Sequence, residues 1–361
     1  MQRRHFARGA ACGPVPSTAR PLWPSREGEG VSARYGLDRA IARVAPVLIV
    51  ALVAAVPLLT DDRYLFKVLT FVGLNVIVVT GLALLFGYAG QISLGHAAFF
   101  GIGAYSVGYL TATRALPWLA AVAIGVALAS VVGLLLSLPM LRLKGHYLAM
   151  ATLAFSEILG VFFVEASAIT GGNDGLRGIP FPSVGPFKIA TPGASYLLVW
   201  GVAIIVVVLA SNLVRTRPGR ALRAVHGTEL GAQACGIDTG RLRVQVFTLS
   251  AGLAGLAGAL YAGVVGFVSP TTFSLEFSVL LVAMVVLGGT GSITGPVVAC
   301  VALTLLPYID ALVPGLPRDA VAFLQDWEAD ISGIVMIGVL LFAPGGVAGM
   351  LRRSRRAGDA S

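Results

Sequence analysis

The residues best equipped for chemistry in this chain lie inside its apolar stretches. Residues 87–105, GYAGQISLGHAAFFGIGAY, hold five glycines together with Tyr88, Gln91, Ser93 and His96, and no charged side chain. Gly87, Gly90 and Gly95 are places where a helix could break, with the polar side chains as partners for the freed backbone groups. Interrupted helices of this kind line transport pathways, where their free ends meet polar substrate groups. The same composition also suits a tight cytoplasmic turn between two helices, capped by polar side chains, and does not separate the two readings.

A second stretch, LGGTGSITGP over residues 287–296, sets Gly288, Gly289, Gly291, Ser292 and Gly295 between two apolar segments of the second half. Breaks at matching places in two halves point to a transport core, although the two stretches are too loosely alike to make a repeat. A third, ITGGNDGLRGIP over residues 169–180, contains Gly171, Gly172, Asn173, Asp174 and Gly175. It reads as a constrained outer loop able to meet an external partner or substrate. Among ionisable groups, Glu157 sits deepest, within LAMATLAFSEILGVFF, while His96 and Glu165 lie nearer the ends of their segments. Intramembrane ionisable residues are functional candidates. A proton-coupled carrier would use them as relays, and the plainer reading is a hydrogen-bonded structural role.

Other chemistries are missing from the sequence. There is no Gly-Lys dipeptide, hence no phosphate-binding GxxxxGK[ST] loop, and no HExxH or GxSxG motif. The three cysteines, Cys12, Cys235 and Cys300, are scattered, with no neighbouring histidines at metal-ligand spacing. The chain reads as a non-enzyme that binds no metal or cofactor and does no covalent chemistry, or draws energy from another subunit.

The elements that must hold these residues are set by composition. The chain is 57% hydrophobic and 12% charged, against about 25% charged in soluble domains. Apolar runs recur that approach the ~20 residues needed to cross a hydrocarbon core. They place ten crossings near 44–60, 65–86, 95–112, 116–138, 148–168, 194–213, 244–266, 277–288, 296–308 and 331–343. The eighth and ninth are short and could form one broken re-entrant unit. The fold class is an all-α polytopic membrane protein of about ten helices with glycine-rich interruptions. In the seventh segment Ala251, Gly255, Ala259 and Gly263 recur every four residues beside a parallel row of Gly258, Ala262 and Gly266. Such rows let helix backbones approach closely in lipid.

Basic residues sort the loops. Arg142 and Lys144, the six arginines of residues 215–243, and Arg352, Arg353, Arg355 and Arg356 read as cytoplasmic. The acidic stretch 307–330, with Asp310, Asp319, Asp326, Glu328 and Asp330, reads as external. Both termini then fall inside. Residues 1–43, with eight arginines and four prolines, read as a disordered basic cytoplasmic tail rather than a cleavable signal or a nucleic-acid arm. The transmembrane domain spans 44–350 and a basic tail 351–361. Residues 217–243 mix charges, small residues and glycines into a short surface helix and turn that needs a docking partner to hold it. Its apolar residues Leu222, Val225 and Leu230 make too narrow a stripe for a lipid-facing helix.

Five stretches in order, GLALLFGYAGQISLGHAAFFGIGAY, LRLKGHYLAMATLAFSEI, ITGGNDGLRGIP, GRALRAVHGTELGAQACGID and VVLGGTGSITGPVVA, resemble the signatures of one family. It is the inner-membrane permeases of branched-chain amino acid ABC importers, of type II architecture, and within it the larger of two sister permeases. The resemblance covers roughly residues 40–350. It implies a bacterial inner-membrane protein paired with a sister permease, two cytosolic ATPase subunits that use ATP, and an extracytoplasmic binding protein. It also implies that 217–243 is the ATPase-coupling segment, with Arg220, Arg223, Glu229, Gly236 and Asp238 in it. Glu229 and Gly236 match the acidic start and the glycine of the coupling signature. His226-Gly227-Thr228 replaces a more charged stretch, Gly231-Ala232-Gln233 an alanine-rich one, and His146 stands where an acidic or polar residue is expected. The competing class is a stand-alone ion- or proton-coupled carrier of small amino acids or amides.

Overall fold

The computed structural model describes residues 62–308, apart from residues 141, 142, 144, 185, 186 and 290, together with Gly333. The expected crossings at 44–60 and 331–343, both basic tails and almost all of the acidic stretch lie outside the described residues. The chain divides into units Met1–Ile49 and Val50–Ser361, and every described residue belongs to the second.

Eleven helices are described. In chain order they are α1 (Arg63–Leu82), α2 (His96–Ala112), α3 (Trp118–Met140), α4 (His146–Glu165), α5 (Ser167–Thr170), α6 (Pro192–Arg215), α7 (Arg217–Gly227), α8 (Glu229–Ala234), α9 (Thr239–Val265), α10 (Leu275–Gly288) and α11 (Thr294–Leu305). Local signals set their starts. Asp62 caps α1 by accepting from Tyr64 N at 2.9 Å, and Asp238 caps α9 by accepting from Arg241 N at 3.0 Å. Thr191 accepts from Ala194 N at 3.3 Å, with Pro192 opening α6.

Five helical segments are long and apolar enough to cross a membrane: Arg63–Tyr88, Trp118–Pro139, His146–Glu165, Pro192–Arg215 and Thr239–Val265. The first and last are mostly buried in the bundle, whereas the other three turn most of their surface outward. The glycine rows of α9 do the close packing the sequence predicts. A Cβ on Gly258 would strike the Phe100 carbonyl of α2, one on Gly103 the Gly255 carbonyl, and one on Gly255 the Ala129 side chain of α3. Backbone meets backbone there, which is how helices gain dispersion contact in a solvent as apolar as themselves.

One departure from the predicted layout lies in the second half. After Gly266 (φ +72°) the chain does not simply turn and recross. It forms a two-residue strand, β4 (Phe267–Val268), and a short 3₁₀ turn over Pro270–Phe273, and then drops into the bundle. The Phe273 ring, nearly buried, packs 5.7 Å from Phe100, 5.6 Å from Tyr105 and 5.9 Å from Phe163. Helix α10 therefore starts deep, with its Ser278 hydroxyl accepting from Ala97 N at 3.1 Å in the first turn of α2. Its 14 residues make a partial crossing of about 21 Å. Within this descent Val268 and Phe273 are buried, Thr271 is exposed and the rest is partly covered.

The stretch 169–180 also has a partner. Leu176–Arg177, strand β1, pairs antiparallel with β4, joining Leu176 to Val268 and Arg177 to Phe267. Gly171, Gly172 and Gly175 all take positive φ, and a Cβ on Gly175 would strike the Val268 carbonyl. The stretch is folded onto the connector after α9, leaving Asn173 and Asp174 exposed at its tip. The remaining strands, β2 (Ser183–Val184) and β3 (Phe187–Lys188), form a small hairpin.

Candidate functional site

The glycines of 87–95 end the first long helix as expected. Helix α1 widens into a π-helical turn over Ala83–Tyr88, and Gly90 takes φ +67°. Backbone hydrogen bonds persist as far as Gln91 N to Leu85 O at 3.2 Å, and then stop. Beyond that point side chains from other helices take over. Thr152 of α4 accepts from Leu94 N at 3.0 Å. His96 bonds Ser250 of α9 through Nε2 at 2.7 Å and Ser93 through Nδ1 at 3.2 Å. With the Ser278 bond of α10, three helices clamp the start of α2. Ser93, His96, Thr152, Ser250 and Ser278 are all buried. The break is a packed joint filled by protein, and the His96 ring is held on both sides by hydroxyls.

That joint touches the segment 217–243. Helices α7 and α8 lie at the same end of the bundle. A Cβ on Gly90 would sit 2.7 Å from His226 Nδ1, and the Arg223 guanidinium lies 6.0 Å from the Tyr88 ring. The arginines of α7 also serve the end of α6: Arg220 donates to Arg215 O at 3.0 Å and Arg223 to Val214 O at 2.7 Å. Cations and donors are favourable on the free carbonyls of a helix C-terminus. Leu222 and Val225 are buried against the body, so the narrow apolar stripe of α7 faces protein rather than lipid.

In α8, Glu229 accepts from Arg243 Nη1 of α9 at 2.8 Å, with both side chains largely shielded. The helix ends in a Schellman turn: Gly236 N bonds Gln233 O at 2.9 Å, Ile237 N bonds Ala232 O at 3.1 Å, and Gly236 has φ +77°. Asp238 then opens α9 and pairs with Arg241 at 2.9 Å. Glu229, Gly236 and Asp238 thus shape the segment itself. Among the residues it presents outward is Leu230, 81% exposed, the one large apolar side chain of α7 and α8 that is. Leu230 belonged to the sequence stripe, but only the fold separates it from the buried Leu222 and Val225.

The second break, 287–296, is a tight turn between α10 and α11. Gly289 takes φ +87°, Ser292 Oγ accepts from Gly295 N at 3.2 Å, and Gly288 and Gly295 meet backbone to backbone. Gly291 lies in the turn between them. Glu157 is apart from all of these. It points outward from the middle of α4, on an otherwise apolar face. Among the described residues no three His, Cys, Asp or Glu side chains gather to hold a metal ion.

Membrane-length helices, a break clamped by side chains from three other helices and a descending half-crossing define a multi-pass membrane protein of the transport type. The chain belongs to the family described as the permease component of branched-chain amino acid transport systems, which matches residues 64–343. It is 29% identical over 329 residues to the Escherichia coli (strain K12) high-affinity branched-chain amino acid transport system permease protein LivM, covering 85% of this chain and 75% of that one. A probable branched-chain amino acid transport permease protein LivM of Methanocaldococcus jannaschii is 27% identical over 325 residues, 78% of this chain and 92% of its own length. A more partial likeness, 28% over 207 residues, is to the autoinducer 2 import system permease protein LsrC of Yersinia enterocolitica, covering 56% of this chain and 53% of that one. No solved structure matches the chain.

Proposed function

We propose that this chain is the permease subunit of an ATP-driven importer of branched-chain or related amino acids. It works beside a sister permease, two cytosolic ATPase subunits and an extracytoplasmic binding protein, and itself binds no cofactor. Its relatives' names supply the substrate class. The observation that carries the mechanism is the segment α7–α8, which exposes Leu230 on one side and touches Gly90 and Tyr88 on the other.

Force applied to α8 by a closing ATPase pair passes through the Schellman turn and the Glu229–Arg243 pair into α9, and through His226 into the joint before α2. Both routes end on backbone packed against backbone, so a shift of the segment moves helices and is not absorbed in a loop. A stand-alone carrier would have no use for an exposed Leu230 on this two-helix segment.

The test is co-purification of the ATPase subunits with the permease pair. Central apolar anchors of an interface cost more than about 2 kcal/mol when removed, so Leu230→Asp should weaken ATPase retention at least tenfold while membrane insertion is unchanged. Full retention and full uptake in Leu230→Asp would remove the coupling role from this segment.

A further inference from the structure

Helices α3, α4 and α6 turn their surfaces outward, and their outward faces differ in one respect. At mid-span α3 shows Leu128, Val131 and Leu135, and α6 shows Ile205, Val208 and Leu209, as faces in contact with lipid should. The corresponding face of α4 carries Met150, Ala154, Glu157, Ile158 and Val161, recurring at the spacing of a single helix face. Glu157 is thus a carboxylate in the middle of a 20-residue crossing, pointing away from the body of its own chain. Among the described residues, nothing donates a hydrogen bond to it and no cation pairs with it. An ionisable group at that depth is strongly disfavoured against lipid and faces protein or a water-filled path.

The surroundings of Glu157 favour the path. Ala154 and Gly160, a turn away on either side, are small, and a Cβ on Gly160 would meet nothing within 4 Å. These small neighbours leave the carboxylate uncovered by its own helix, and Met150, Ile158 and Val161, each more than half exposed, flank it. A zwitterionic amino acid with an aliphatic side chain matches this arrangement: its ammonium group needs an anionic acceptor in low dielectric, and its side chain an apolar wall.

We propose that this face of α4 lines the translocation pathway, and that Glu157 accepts hydrogen bonds from the α-ammonium group of the amino acid in transit. The proposal rests on reading the chain as an amino-acid permease. The contact is charge-assisted and hence strong enough to recruit the ammonium group. Glu165, the other exposed carboxylate of this helix, lies two turns away at its end, so a substrate held by Glu157 alone at mid-span can leave again, as conduction requires. The Thr152 hydroxyl, on the inner face of the same helix, holds Leu94 N at the joint, so the helix that carries Glu157 is tied to the break that α7 touches.

The experiment uses the full complex in proteoliposomes, with leucine as substrate. Glu157→Gln should lower ATP-driven uptake at least tenfold with complex assembly unchanged, and Glu157→Asp should keep most of it. In parallel, Glu157→Cys in a background without Cys12, Cys235 and Cys300 should react with a water-soluble methanethiosulfonate reagent, and excess leucine should slow the reaction. Wild-type uptake in Glu157→Gln, loss of assembly in that variant, or no aqueous labelling at the cysteine would each overturn the proposal, the second by making Glu157 an interface contact. If instead the wild-type complex carries no amino acid at all, the parent reading fails, while labelling still reports whether this face meets water.

Discussion

Gly90 shows how much can depend on one residue. Its φ of +67° lies in the left-handed region, and the His226 ring occupies the space a side chain would need. Gly90→Ala therefore carries backbone strain of about 1–2 kcal/mol and a collision, both at the joint between the coupling segment and α2. The expected outcome is a complex that assembles and hydrolyses ATP but has lost most of its uptake. His226→Ala in the same chain removes the collision but not the strain and should restore uptake only in part. Full restoration would mean that the backbone angle is immaterial. At the other end of the segment, Glu229→Lys breaks the shielded pair with Arg243 and places two cations together, a local loss of about 2 kcal/mol. The charge swap Glu229→Arg with Arg243→Glu should recover much of the ATPase retention that Glu229→Lys loses. No recovery would place the role of Glu229 in a contact to the ATPase instead. Gly236→Ala meets no neighbour and should cost only its φ strain, seen as a small drop in uptake, whereas Gly236→Val should cost more.

Among the elements, α9 is the one on which others are built. Gly258 and Gly255 bring it against α2 and α3 so closely that any side chain meets backbone or a neighbouring Cβ. Gly258→Leu should therefore lower the melting temperature of the purified protein and its membrane level sharply, by more than the 1–3 kcal/mol of ordinary overpacking, because the atom in the way is a carbonyl. A stable, well-expressed Gly258→Leu protein would contradict the packing described. These rows were legible in the sequence, as were helix limits: apolar runs at 65–86, 116–138 and 194–213 became helical segments at Arg63–Tyr88, Trp118–Pro139 and Pro192–Arg215. Hydrocarbon thickness sets such run lengths directly. The clamp on the break was not legible, since Thr152, Ser250 and Ser278 lie 58, 154 and 181 residues from the groups they hold. Nor was the descent over 266–274, which is stabilised by rings from three other helices and has only Gly266 and Pro270 to mark it. Glu157 was visible as an intramembrane acid, but its outward direction is a property of the packed bundle.

For the whole molecule, the sidedness deduced from basic loops has a direct check. Cys235 is exposed at the C-terminal end of α8, and Asn173 is exposed at the tip of the stretch between α5 and β1. An impermeant thiol reagent on intact cells should label Asn173→Cys made without Cys235, and should reach Cys235 of the natural chain only after permeabilisation. The opposite pattern would invert the topology. The central claim, that ATP hydrolysis by partner subunits drives passage through this chain, is tested most directly by leucine uptake into proteoliposomes holding this permease, a sister permease and the ATPase pair, with binding protein in the lumen-free space outside. Uptake should require internal ATP, stop when the ATPases are omitted, and persist when ion gradients are collapsed. Uptake by this chain alone, driven by a proton or sodium gradient and indifferent to ATP, would contradict it.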